Sequence, residues 1–263
     1  MNCKETNATT GVSVQRDDGI ATLSIAGRTH LNLLGPDVFR ELQERVEECG
    51  NDKSVRAIVL RGAGERAFSA GVDLREMKDL TPLTAEQFIR SLHRAARILL
   101  DVPVPVVAAI QGPCLGGALE LALAADIRIA SADAIFGLPE VRVGLPSVIE
   151  ASLLPPTVGL GRARKMLLTG EIIDAGEAHR IGLVDEVVDH ERVHETAMLT
   201  AAEFLGMARP VLASQKDIVA KWLELGEAES AEYTIKAFAL GFATPYPHKA
   251  MTAFLEKRAP QFD

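Results

Sequence analysis

Aromatic residues are scarce, at 5% of the 263 positions with a single Trp. A core must therefore be built mainly from Ala, Leu, Val and Ile, which suits helices packed closely on strands through small side chains. Cysteine is scarcer still: Cys3, Cys49 and Cys114 are odd in number and lack metal-ligand spacing. That argues against a disulfide framework or a zinc site and for a reducing, cytoplasmic compartment. Excess basic charge is absent as well, because the formal net charge is -8, the wrong field for nucleic acid or an anionic membrane surface. Long apolar runs are missing too. Val102 to Ile110 and Leu119 to Ala125 are too short and interrupted to span a bilayer. The opening MNCKETNATT carries neither the apolar stretch of a secretory signal nor the arginines of a transit peptide.

What remains is the balance of a soluble globular enzyme, 48% hydrophobic and 24% charged. The length suits one large domain or two small ones, with about three quarters of the unfolded surface buried. Val12 to Gln15 and Ile20 to Ile25 flank Asp17-Asp18-Gly19, a hairpin signal. Asp37 to Cys49 spaces Val38, Leu42 and Val46 four apart, which predicts an amphipathic helix stopped by Gly50. Strand and helix then alternate. Strands are expected at Val55 to Leu60, Val106 to Ile110, Ile127 to Ala130 and Ala134 to Phe136, and helices at Thr84 to Leu100 and Gly116 to Ala125. After Gly159 the chain reads as helices, with Val184 to Val188 as the one strand-like break. No repeat or linker separates independent domains. The expected division is a flexible tail over residues 1–10, a β/α core over 11–190 and a helical region over 191–263.

Two glycine-bearing turns stand out, AFSAGVDL from Ala67 and QGPCLGGALE from Gln111. Each follows an expected buried strand and leads toward a helix, a context that leaves backbone N–H groups unpaired. Taken alone, Gly71, Gly116 and Gly117 need only permit tight turns or close packing. The carboxylate three residues after Gly117 changes that reading. Glu120 sits in Ala118-Leu-Glu-Leu-Ala-Leu-Ala-Ala, where an unpaired charge is costly. It needs an ion pair, with an arginine such as Arg128 or Arg142, or else a proton or a polar cavity. Glu140 follows Pro139 at the end of a short apolar strand. A helix rising about 1.5 Å per residue, followed by a returning strand at about 3.3 Å per residue, can bring it back near Glu120. Two converging carboxylates can divide acid and base roles.

From about Gly11 to Asp263 the chain resembles the crotonase (enoyl-CoA hydratase/isomerase) family. The resemblance is carried by RGAGERAFSAGVDL from Arg61, QGPCLGGALE from Gln111, FGLPE from Phe136 and AFLEKR from Ala253. It implies an α/β spiral of ββα units with a C-terminal helical trimerisation region, assembled as a homotrimer or a dimer of trimers. It implies that Val72 and Gly117 supply backbone N–H groups to the thioester oxygen. Glu120 and Glu140 match the two catalytic glutamates of hydratases. By the same resemblance His30 and Leu31 lie along the pantetheine, Ala70, Val72 and Leu74 surround the adenine, and Arg75 approaches the phosphates. Phe238 and Lys257 match positions that reach the nucleotide, in some relatives from the adjacent subunit. No metal and no cofactor are implied, because coenzyme A enters as part of the substrate.

The implied reaction is hydration of a trans-2-enoyl-CoA to a 3-hydroxyacyl-CoA. Two backbone donors would stabilise the enolate, Glu120 would take a proton from water and Glu140 would deliver one to the α-carbon. The departure from the family comes after Glu140. Typical hydratases carry a Pro-Gly-x-Gly-Gly-Thr-Gln-like turn there, and this chain has Gly144-Leu-Pro-Ser-Val-Ile-Glu-Ala-Ser. The replacement adds the hydroxyl of Ser147 and a third carboxylate, Glu150, which either faces the acyl pocket or is a surface or capping charge. Enoyl-CoA isomerase and acyl-CoA hydrolase chemistry use the same oxyanion hole and stand as alternatives. A noncatalytic RNA- or protein-binding relative is the outside one, opposed by the acidic charge and by the presence of both glutamates.

Overall fold

The computed structural model describes residues 10–262, so the expected tail over residues 1–10 lies outside the described residues except for Thr10. Strands β1 (Gly11–Asp17) and β2 (Ile20–Ala26) pair antiparallel around Asp18 and Gly19. Both turn residues have positive φ, 39° and 81°, the conformation that a two-residue hairpin loop requires. From β2 onward the sheet is parallel, through β3 (Ala57–Gly62), β4 (Val106–Ile110), β6 (Ile127–Ser131) and β9 (Glu186–Val188). These six lie in the order β1-β2-β3-β4-β6-β9. Strand β4, VVAAI, is buried at every position, as expected for a parallel sheet covered on both faces.

One face is covered by α1 (Pro36–Asn51) and α3 (Pro82–Asp101). Val38, Leu42 and Val46 of α1 and Leu92, Ala95 and Leu99 of α3 join the principal core, and Phe39 meets Phe88 edge to face at 5.8 Å. The other face is covered by α8 (Val193–Ala202), whose Val193, Ala197 and Ala201 recur every four residues against Ile20, Val59, Val107 and Ile129. Gly50 does not stop α1, which runs on to Asn51. A glycine within a helix costs only about 1 kcal/mol against Ala, and burial of Val46 and Cys49 holds this turn in place.

A second sheet carries the chain back on itself. Strands β5 (Pro113–Leu115), β7 (Ile135–Gly137) and β8 (Ile172–Asp174) form it in the order β5-β7-β8. Thus β8 corrects the expectation of helices alone after Gly159 up to Val184. Three residues pairing only with β7, one of them buried, leave no period to read. The remaining helices are α2 (Leu74–Met77), α4 (Gly117–Leu123), α5 (Leu154–Val158), α6 (Leu160–Thr169) and α7 (Ala175–Arg180). Beyond α8 come α9 (Arg209–Glu224), α10 (Glu227–Gly241) and α11 (Tyr246–Leu255). These last three leave Trp222, Ile235, Leu240, Phe242 and Phe254 exposed. Among the described residues no helix is long and apolar enough to cross a membrane.

Candidate active site

The small sheet brings the two glycine turns together. Ser69 pairs with Cys114 of β5, and the Ser69 hydroxyl, fully buried, donates to Asn32 O at 2.7 Å and accepts from Gly71 N–H at 3.1 Å. Gly71 has φ 97°, and a Cβ there would stand 2.7 Å from Leu115 O, so no other residue fits without moving a backbone. Val72 forms a parallel bridge with Leu34, made by Leu34 N–H to Gly71 O at 2.8 Å and Asp73 N–H to Leu34 O at 3.1 Å. A residue bridged through its neighbours turns its own N–H to the opposite side. Gly117 opens α4, where a first-turn amide has no partner within the helix. Among the described residues neither the Val72 nor the Gly117 amide has a hydrogen-bond partner, and both residues line one cavity of about 610 Å³.

Glu120 and Glu140 line the same cavity. Glu120 is 3% exposed, and its Oε1 accepts from Ala151 N–H at 3.2 Å. Neither candidate arginine reaches it: Arg128 is spent on Leu183 O, Ala125 O and Asp185, and Arg142 donates to Thr169 O. Burial therefore dominates, and the neighbouring carboxylates Glu140 and Glu150 add to it. The Glu120 carboxyl is pushed up to about 8, a shift that favours its protonated form and meets the energetic demand read from the sequence. Glu140 begins a short 3-10 turn, Glu140–Val143, with two residues between it and the end of β7. Ser147 Oγ donates to its Oε2 at 2.7 Å. Gly116 N–H donates to Gly137 O at 2.9 Å, which holds the start of the α4 turn beside the strand that delivers Glu140. The rest of the wall is largely apolar, with Met77, Leu80, Phe88, Ile89, Leu92 and Leu145.

Glu150 sits apart from this pair. It is 5% exposed, so it is no surface charge, and it does not line the cavity of Glu120. It sits instead in a 3-10 turn, Ile149–Leu153, facing an adjoining recess and accepting from or donating to His93 Nδ1 of α3 at 2.7 Å. Burial raises the Glu150 carboxyl, and His93 opposes that rise. His93 was not singled out from the sequence, since a histidine on the polar side of an amphipathic helix carries no local signal.

The residues matched to coenzyme A divide into two groups. Ala70 and Leu74 line the cavity, and the Ala70 amide donates to Leu31 O at 2.9 Å, so exposed His30 and half-buried Leu31 lie beside them. Arg75 on α2 holds Asp73 through a forked contact at 2.9 to 3.2 Å and is itself mostly exposed. Phe238, on α10, packs edge to face on Phe242 at 5.4 Å. Lys257 follows α11 at φ 55°. Neither of these two lines the cavity. Among the described residues no group of three or more His, Cys, Asp or Glu side chains is arranged to hold a metal ion.

Comparison with known proteins places this geometry among relatives. The family model for enoyl-CoA hydratase/isomerase matches residues 15–263. A short-chain-enoyl-CoA hydratase of Clostridium acetobutylicum is 35% identical over 248 residues, which cover 94% of this chain and 95% of that protein. The solved structure of DspI from Pseudomonas aeruginosa matches with a TM-score of 0.92 at 31% identity, covering 100% of both chains. An enoyl-CoA hydratase crystal structure from Bacillus anthracis matches at 0.90 with 28% identity, covering 95% of this chain and 98% of that one.

Proposed function

The chain belongs to the enoyl-CoA hydratase/isomerase family, and on that premise we propose that it adds water to a trans-2-enoyl-CoA to give a 3-hydroxyacyl-CoA. The observation that carries this reading is the meeting of two carboxyl groups, Glu120 and Glu140, and two unpartnered amides, Val72 and Gly117, on one largely apolar cavity. The thioester oxygen accepts from both amides, and these bonds strengthen as enolate charge grows on it. Water adds its oxygen to the β-carbon while one glutamate takes its proton, and the other glutamate gives a proton to the α-carbon. The matched roles are Glu120 as base and Glu140 as acid.

This chemistry needs one proton shared by two carboxyl groups. Like charges in proximity titrate as a pair, and the raised Glu120 supports a singly protonated site at neutral pH. The pair then supplies one acid and one base. No cofactor enters the proposed reaction.

Coenzyme A is proposed to lie along His30, Leu31, Ala70, Leu74 and Arg75. The apolar side chains left exposed on α9, α10 and α11 support a homotrimer or dimer of trimers, in which Phe238 and Lys257 reach the nucleotide of an adjacent subunit. Cys49 and Cys114 are buried free thiols, which fits the proposed cytoplasmic location. The test is loss of conjugated-thioester absorbance with crotonyl-CoA. Loss without release of free thiol supports hydration; release of thiol in step with the loss contradicts it.

A further inference from the structure

Ile149 has φ 44°, a left-handed conformation in which a β-branched residue is a genuine outlier. It stands immediately before Glu150 and two residues before Ala151. Such strain persists only where the surroundings over-determine it. On one side Ala151 N–H is bonded to Glu120. On the other, Glu150 is fastened to His93, a residue 57 positions away on α3. The second carboxyl oxygen, Glu150 Oε2, is buried with no partner among the described residues, so His93 is the side chain's anchor to another element.

We propose that Glu150 and His93 are a positioning pair for the reaction assigned above. Through Glu150, His93 clamps the strained turn that aims the Ala151 amide at Glu120, and the pair sets the charge behind the catalytic glutamates.

The inference rests on the hydratase reading for its kinetic consequences only; the clamp itself is geometry. Glu120 is faced by Glu140 from the turn after β7 and by Glu150. Glu150 is faced by His93 and, at longer range, by Arg97, both from α3. Strand β5 adds only the Cys114 thiol, which burial keeps protonated. Among the described residues Glu150 is thus the carboxylate acting on Glu120 from outside the reaction cavity, and His93 is its nearest counterweight. The charge of Glu150 raises the affinity of Glu120 for its proton, so neutralising it should release that proton at lower pH.

The test uses the full chain with Glu150→Gln, His93→Ala and His93→Gln. In Glu150→Gln the alkaline limb of kcat/KM should move to lower pH. In His93→Ala kcat should fall about tenfold with KM little changed, as for a hydrogen bond to a charged group worth at least 1.4 kcal/mol. His93→Gln, whose amide can still donate to Glu150, should recover most of that loss. An unmoved alkaline limb in Glu150→Gln, or equal losses in the two His93 variants, would overturn the proposal. His93 is half-exposed, so its variants should fold even if Glu150→Gln does not.

A second measurement is independent of activity. The drop in unfolding temperature between pH 6 and pH 9 should be reduced by Glu120→Gln and by Glu150→Gln. In the double variant the reduction should be less than the sum of the two, because their mutual repulsion is then removed only once. Additive reductions would overturn the coupling. Inactivity of the wild type on every enoyl-CoA with non-additive thermal shifts would sink the hydratase reading and leave the coupling of Glu150 to Glu120 standing.

Discussion

Ser147 Oγ donates to Glu140 Oε2 across 2.7 Å, so the segment that departs from the family's glycine-rich turn returns a hydroxyl to one of the two glutamates. Ser147→Ala removes a donor to a carboxylate, a bond of roughly 1.5–3 kcal/mol. The expected result is a roughly tenfold or greater fall in kcat. Unfolding temperature should change little, since Ser147 is only half-buried. Steady-state kinetics on crotonyl-CoA, with a thermal melt alongside, check both.

Glu120→Gln and Glu140→Gln should each lower hydratase kcat by about 10²-fold or more, the usual contribution of a positioned acid or base. Neither should unfold the protein. Full activity in either variant would remove that glutamate from the mechanism.

Because the proposed chemistry needs one proton on the pair and Glu120 is pushed up to about 8, kcat/KM should fall as pH rises through about 8. Stability follows the same group. An unfolded glutamate titrates near 4.5, so from there up to about 8 the folded state binds a proton that the unfolded state lacks. The stabilisation is full below the lower value and lost as pH rises through the upper one. At pH 9 Glu120→Gln should therefore melt above the wild type. A wild-type melting temperature flat from pH 5 to pH 9 would contradict the burial of an uncompensated Glu120.

Gly116 has φ 56°, and a Cβ there would stand 2.9 Å from Glu140 Oε1. Gly116→Ala should strain the turn by more than about 1 kcal/mol and push the Glu140 carboxyl out of place. A loss of kcat much larger than the loss of stability is expected, and it would be visible as a folded but nearly inactive protein.

Much of this was legible in the sequence for physical reasons. Asp18-Gly19 announced the hairpin because only residues tolerant of positive φ fit it, and β4 announced itself as an unbroken apolar run. Glu120 stood out because a carboxyl in an all-apolar helix must be protonated or paired, and the structure leaves it unpaired by any arginine. The illegible parts are those made by tertiary contact. Strands β5 and β8 are three residues each and are held by pairing with β7. The His93–Glu150 contact joins two elements 57 residues apart. Nothing local marks Ile149 as left-handed, because its own side chain argues against that conformation.

The most direct measurement is product mass after incubating a trans-2-enoyl-CoA with the enzyme in oxygen-18 water. The expected product is an intact CoA thioester carrying one solvent oxygen on the β-carbon, formed by the wild type and lost in Glu120→Gln and Glu140→Gln. Solvent oxygen found instead in a free carboxylic acid, or a shifted double bond with no oxygen taken up, would contradict the account.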